Sequence, residues 1–228
     1  SYNHQYVHLV SNSYTTLPLD IWVPSSVLVQ PQVSQQVSTG IFKNFKDNMF
    51  ETSVEVYYKK LDNQIEYGES YTPDQLNKSI EYEFVFGDGE SYGAEFFFNK
   101  TQGKFTGWIG YTLSWTFRNF SEINSGETFP ARFDRRHDIS VVGTYTLNPK
   151  WTLSSVFVYG TGQATTMPSQ FYIAEGTVAK DYGPRNSFRM ESYHRFDLST
   201  IWKLKKTERF ELELVFSVYN VYRLFSLF

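Results

Sequence analysis

The sequence predicts an all-β fold, a transmembrane antiparallel β-barrel to which this chain contributes about ten strands. Three observations predict it. Apolar and polar residues alternate with a period of two through long segments. Connections alternate between short polar turns and long loops. The apolar face is aromatic and uncharged, whereas the opposite face is mostly Ser, Thr and Gly.

Strands are expected at 2–11, 32–45, 49–66, 80–100, 105–118, 138–147, 151–161, 194–204, 210–221 and 223–228. The alternation is clearest in "FTGWIGYTLSWTF", where Phe105, Ile109, Tyr111, Leu113, Trp115 and Phe117 oppose Thr106, Gly110, Thr112, Ser114 and Thr116. "ISVVGTYTL", "WTLSSVFVY", "FDLSTIWKL" and "FELELVFSV" repeat it. In these five segments the apolar face has 27 positions, 23 apolar and none charged, against 41% hydrophobic for the whole chain. Several strands exceed the ~9 to 11 residues that cross a bilayer, so they should project beyond it.

Short turns fall at "FKDN", "TQGK", "NPK" and "KKTER"; long connections fall at 12–31, 62–79, 119–135 and 163–192. Short turns at one end and long loops at the other is the arrangement of outer-membrane barrels. A soluble antiparallel sandwich would also alternate. Two features weigh against it: the uncharged aromatic band suits lipid with interfacial girdles, and the other face lacks the Lys and Glu of a solvated surface.

Composition closes other routes. Net charge is −3 over 228 residues, which argues against a nucleic-acid partner, and the absence of Cys removes disulfides, thiolate zinc sites and cysteine nucleophiles. No run approaches the ~18 to 20 apolar residues of a membrane helix. "SYNHQYVHLV" shows no basic start followed by an apolar core, so no signal peptide is expected there. His4, His8, His137 and His194 lack partners at metal spacing, so neither metal nor cofactor is expected. An outer-membrane protease would need paired acidic and His residues at the loop ends, for which Asp134, His137 and Asp138 are the only close set. "GDGESYG" reads as a kink or bulge rather than a phosphate loop, because no helical pattern follows.

If the aromatic face meets lipid, the other face lines a lumen. Val142, Val156, Val158, Ile201 and Trp108 on that face suggest packed protein inside, as in a plugged barrel. Charged residues assigned to the lumen gather toward the long loops: Glu55, Glu95, Arg118, Arg136, Asp138, Arg195 and Asp197. They either neutralise one another or contact a plug or substrate. "RRHDIS" at 135–140 and "YHRFDLS" at 193–199 share Arg-x-Asp-(Ile/Leu)-Ser, 59 positions apart. Parity puts Arg136 and Asp138, and Arg195 and Asp197, on the lumen face within ion-pairing reach. The repeat therefore reads as two charged anchors where loop becomes wall, joined by Arg118 at the rim. In the loops, Trp22, Arg132, Arg135, Tyr172 and Arg185 are the candidate ligand contacts.

"YEFVFGDGESYGAEFFFNKTQGKFTGWIGYTLSWTFRNF", then "FPARFDRRHDISVVGTYTLNPKWTLSSVFVYGTG", then "YHRFDLSTIWK" resemble the C-terminal half of TonB-dependent outer-membrane receptors, over 31–222. The resemblance is strongest to the subgroup with an N-terminal carboxypeptidase-regulatory-like domain. It implies a plugged barrel of about 22 strands, of which 1–228 supplies C-terminal wall without plug or first strands. It implies a bacterial outer-membrane location and import of a scarce ligand, such as a metal chelate, vitamin, oligosaccharide or peptide, driven by TonB acting on the plug. A receptor-like scaffold in an outer-membrane complex is the alternative. Outer-membrane lipid and a surface lipoprotein are the further partners expected. Family members continue after "FSVYNVY" through a loop into a last strand, whereas "RLFSLF" follows here at once, leaving residues unaccounted for between Tyr222 and Arg223. Phe228 suits the aromatic terminal residue of such barrels.

Overall fold

The computed structural model describes residues 1–7, 9–11, 22–68, 80–174, 177–206 and 210–224. Among the described residues nine strands follow one another in one antiparallel sheet: β1 (Tyr2–Val7), β2 (Gln32–Phe45), β3 (Phe50–Tyr67), β4 (Phe84–Lys100), β5 (Phe105–Asn119), β6 (His137–Asn148), β7 (Trp151–Gly160), β8 (Tyr193–Lys206) and β9 (Glu211–Val218). Each pairs with its chain neighbour, and Phe129–Pro130 adds a short strand beside β5.

Register shows the tilt of the wall. The last pair before the β2–β3 turn, Phe45 and Phe50, continues across the sheet through Lys100, Gly107, Gly143, Ser155, Leu198 and Val218. The last pair before the β8–β9 connection is Lys206 and Glu211, eight residues past Leu198. About 3.3 Å per residue along a strand and about 4.8 Å between strands turn this stagger over six strand steps into a tilt of about 40°, inside the range that barrels require. Gly107 (φ 149°) sits on this row because any Cβ there would strike the Val142 carbonyl.

Directly paired residues share a face, so the outer face can be followed strand by strand. One outward row runs Ile41, Val54, Phe96, Tyr111, Ile139, Tyr159, His194. Four residues nearer the long loops an aromatic row runs Tyr2, Val37, Tyr58, Tyr92, Trp115. Outward charges lie only beyond these levels. On β4 the charge-free stretch runs between Lys100 and Glu90, ten residues apart. At about 3.3 Å per residue and 40° of tilt this spans about 25 Å, the height of a barrel's apolar band.

The buried apolar residues lie elsewhere. Val23, Val29, Ile65 and Phe84 form one cluster and Val85, Phe120, Ile123 and Phe129 another, both at the long-loop end. Among the described residues no second layer covers the wall's apolar face, and Ile41, Phe105, Leu153 and Phe216 are exposed.

Three expected elements differ. Residues 80–83 form a 3-10 turn, because β3 ends at Tyr67 opposite Phe84 and leaves them no ladder to join. The expected strand 2–11 is divided: Tyr2–Val7 joins the wall, whereas Leu9–Ser11 pairs with Trp22–Pro24. In place of a strand starting at Arg223, Val221–Leu224 is a 3-10 turn; 225–228, including Phe228, lie outside the described residues. The glycine run 87–93 does mark a bulge, carried by its partner: Asp62 and Asn63 oppose Asp88 alone, with Asn63 at φ 56°.

The wall makes a face-specific prediction. Ile109→Arg, in the outward band, should cost the full-length protein about 2–4 kcal/mol in urea unfolding from liposomes. Thr112→Arg, on the inward face, should cost well under half as much.

Candidate functional site

The long-loop end carries a polar network centred on Asp134, which is only 1% exposed. Its Oδ1 accepts the Thr116 backbone N–H at 2.7 Å, fixing the loop to β5. Its Oδ2 accepts from Arg189 at 2.5 Å and lies 3.5 Å from the Arg136 guanidinium. Arg189 also donates to the carbonyls of Asp134 (2.9 Å) and Gly162 (3.0 Å). A buried carboxylate between two guanidiniums is compensated on every side, as such a charge must be.

A second staple lies beside it. The Asn124 side chain accepts the Arg185 N–H at 2.7 Å, and the Arg185 guanidinium donates to the Tyr67 carbonyl at 2.9 Å. The Asn186 side chain donates to the Pro130 carbonyl at 2.9 Å, and the Asn186 backbone N–H donates to the Thr166 hydroxyl oxygen at 3.0 Å. The connections 119–135 and 161–192 are thus locked together over the end of the wall.

From this cap rises a hairpin, Pro168–Ala174 against Thr177–Tyr182. Pairing places Phe171, Ile173 and Val178 on one of its faces, with Ile173 80% exposed.

Below the cap, the inward face forms a groove of about 290 Å³. Lys59, Ser91, Thr116, Arg118, Leu61 and Phe133 line it, among others. The Ser91 and Thr116 hydroxyls are bonded at 2.9 Å. Arg118 is almost buried, 3.8 Å from Glu66 and over the Phe133 ring. Deeper in the lumen Glu55 and Glu95 stand directly opposite each other, a like-charge pair that costs energy unless something cationic faces it. Beyond the outer aromatic row, a hydrogen bond to Asp62, reinforced by that carboxylate's charge, raises the pKa of Lys60 above its ordinary value.

The two Arg-x-Asp copies part company. Arg195 and Asp197 pair at 2.9 Å; Arg195 also donates to the Tyr219 hydroxyl at 2.8 Å, and Asp197 accepts the Asn220 N–H at 2.8 Å. In the first copy Arg136 does not meet Asp138. It turns to Asp134, donates to the Ser114 carbonyl at 3.0 Å and stacks over Trp115, 4.5 Å from the ring centre. Asp138 pairs instead with Arg135 at 3.5 Å. The reason is local: β6 begins at His137, so strand parity does not reach Arg136.

Of the loop residues singled out by sequence, Arg185 and Arg135 are engaged within the chain. Arg132 is exposed, as is Tyr172 on the hairpin. Trp22 enters a short strand opposite Ser11. His137 bonds the Tyr111 hydroxyl through Nδ1 at 2.9 Å, separate from the Asp134 network. Asp134, Arg189, Asn124 and Asn186 carry no local pattern that marks them as loop anchors, apart from the charge density of "FDRRHD" around Asp134.

This combination, a tilted antiparallel wall with a lipid-height apolar band and loops locked over one end, defines a transmembrane barrel wall of the outer membrane. The model of the TonB dependent receptor-like β-barrel family matches residues 11–221, and the chain belongs to that family. Comparison with curated proteins gives no match. Among solved structures, the ferripyoverdine receptor of the outer membrane of Pseudomonas aeruginosa is similar at TM-score 0.59 and 18% identity, covering 85% of this chain and 24% of that one. The same organism's FpvA bound to heterologous pyoverdines gives TM-score 0.63 at 16% identity, covering 97% and 26%. The ferric-catecholate import receptor Fiu from Escherichia coli K12 gives 0.57 at 14%, covering 85% and 24%. The chain therefore spans about a quarter of these receptors, and the likeness is one of fold.

Loss of the Asp134 network should free the loops without dissolving the wall. Arg189→Ala removes a partner from a buried carboxylate, a change worth about 3–5 kcal/mol. Hydrogen exchange should show faster exchange in 161–192 and unchanged protection in β5 to β7.

Proposed function

We propose that this chain is wall and outer loops of a receptor that imports a scarce ligand across the outer membrane with energy delivered by TonB through a plug domain. The family match over 11–221 carries this reading. The wall supports it: the groove at the long-loop end presents the Lys59 side chain, hydroxyls and an aromatic ring, with Arg118 beneath, to a solute arriving from outside. Arg118, Arg136, Asp138, Arg195 and Asp197 serve as anchors that hold loops, turns and plug to the rim. Exposed Arg132 and Tyr172 remain for ligand contact, whereas Arg135 and Arg185 act through loop position. The chain performs no catalysis in this reading. The ligand class is a metal chelate, vitamin, oligosaccharide or peptide.

The exposed apolar hairpin face favours a second reading, a receptor-like scaffold that binds a protein such as a surface lipoprotein.

Growth on candidate nutrients, with the intact gene or its deletion and with or without TonB, separates the two. Import predicts a growth defect on one nutrient class that deletion of either gene produces. A stoichiometric complex purified from membranes, with no nutrient-specific defect, would favour the scaffold.

A further inference from the structure

The turn end of the wall sorts its charges by face. Lys43 occupies an outward position in a row with Thr52, Phe98 and Ile109. Lys46 lies in the β2–β3 turn with its ammonium 5.6 Å from the centre of the outward Phe50 ring. Lys205 shares an outward position with Leu212 and stands 5.6 Å from the Phe210 ring. The acids at this end behave differently. Glu51 is inward, accepting from Asn99 at 2.8 Å, and Glu211 and Glu213 are inward around Lys203 at 3.2 and 3.1 Å. Asp47 sits in the turn itself. Among the described residues, the outward rim below the apolar band is therefore cationic. At the opposite rim the outward charges are mixed, Lys60 with Asp62 and Glu90.

The level of these lysines is set by the wall. On each strand the uncharged band ends at its first outward charge on the turn side, Lys43 on β2 and Lys100 on β4; the tilt of the wall brings these two register rows to a similar height, where the phosphates of the inner leaflet must lie if the band fills the hydrocarbon. Outward aromatics mark the same boundary: Phe45 and Phe50 stack at 5.0 Å, and Trp151 and Trp202 stack at 5.2 Å and 7°. Lys100 is already committed, donating to the carbonyls of Gln102 and Phe105 at 2.6 Å. No carboxylate among the described residues lies within salt-bridge distance of Lys43, Lys46 or Lys205.

We infer that Lys43, Lys46 and Lys205 form a binding belt for anionic phospholipid headgroups of the inner leaflet, with the neighbouring rings seated at the glycerol level. Phosphatidylglycerol supplies uncompensated phosphate charge, whereas the choline of phosphatidylcholine cancels its own. The inference rests on the orientation of the wall and not on import.

The test uses the purified full-length receptor in detergent, titrated with brominated phosphatidylglycerol or brominated phosphatidylcholine while tryptophan quenching is followed. The wild type should prefer phosphatidylglycerol by at least about five-fold at low ionic strength, the worth of one interfacial lysine. The preference should collapse at high salt. A Lys43→Gln, Lys46→Gln, Lys205→Gln variant should fall below two-fold with its thermal unfolding unchanged, and Lys60→Gln at the opposite rim should keep the preference. Equal quenching by the two lipids in the wild type would overturn the inference, as would a preference that survives in the triple variant. Inorganic phosphate that erases the preference where chloride of equal ionic strength does not would also overturn it, by showing a free-anion site.

Discussion

The structure depends on one constraint: a backbone placed in hydrocarbon must find all its hydrogen bonds within the protein. Between neighbouring strands the ladder from β1 to β9 meets it, leaving the outer edges of β1, β9 and the turn half of β2 to further strands, and the side chains then divide by face. Lipid covers the outward face in place of a second protein layer. That is why Ile109, Leu153 and Phe216 stand exposed without being a liability, and why the largest fully buried side chains, Phe120 and Ile65, lie beyond the band.

Where the strands leave the bilayer the rule changes. Water can satisfy the backbone there, so loops are free to wander, and this chain holds them with the contacts a soluble domain would use. Two small apolar clusters form under the loops, and buried polar side chains stitch connections remote in sequence. Asp134 shows the economy of the design: one carboxylate holds a strand backbone, the start of β6 and the far end of a thirty-residue connection. Loops tied together in this way over a polar groove fit the proposed import, because loops fixed in advance lose less entropy on binding a ligand.

The wall was legible in the sequence because its periodicity follows from its environment. On β5 the outward residues Ile109, Tyr111 and Leu113 answer to lipid, so the strand, its faces and its turns could be read from the pattern alone. The cap was not legible in the same way. Arg189 reaches Asp134 across 55 residues, and Arg185 reaches Tyr67 across 118; no local pattern encodes such contacts. The repeated Arg-x-Asp shows the boundary between the two regimes. Inside a strand, Arg195 and Asp197 two positions apart share a face and pair. One residue before a strand, parity no longer held, and Arg136 took Asp134 instead of Asp138. The short strands of the connections escaped for a related reason, since two or three paired residues carry too little alternation to be seen.

The orientation of the wall requires that the odd-numbered face of β5 meets lipid while the even-numbered face meets the lumen. The segment contains no Cys, so single cysteines can be placed at each position from 105 to 117 in the full-length protein and spin-labelled in a bilayer. Oxygen, which partitions into lipid, should relax the labels with a period of two and a maximum at odd positions through the middle of the band. A water-soluble nickel chelate should show no maximum at those positions. Odd positions more accessible to nickel than to oxygen, or accessibilities without alternation, would contradict the account.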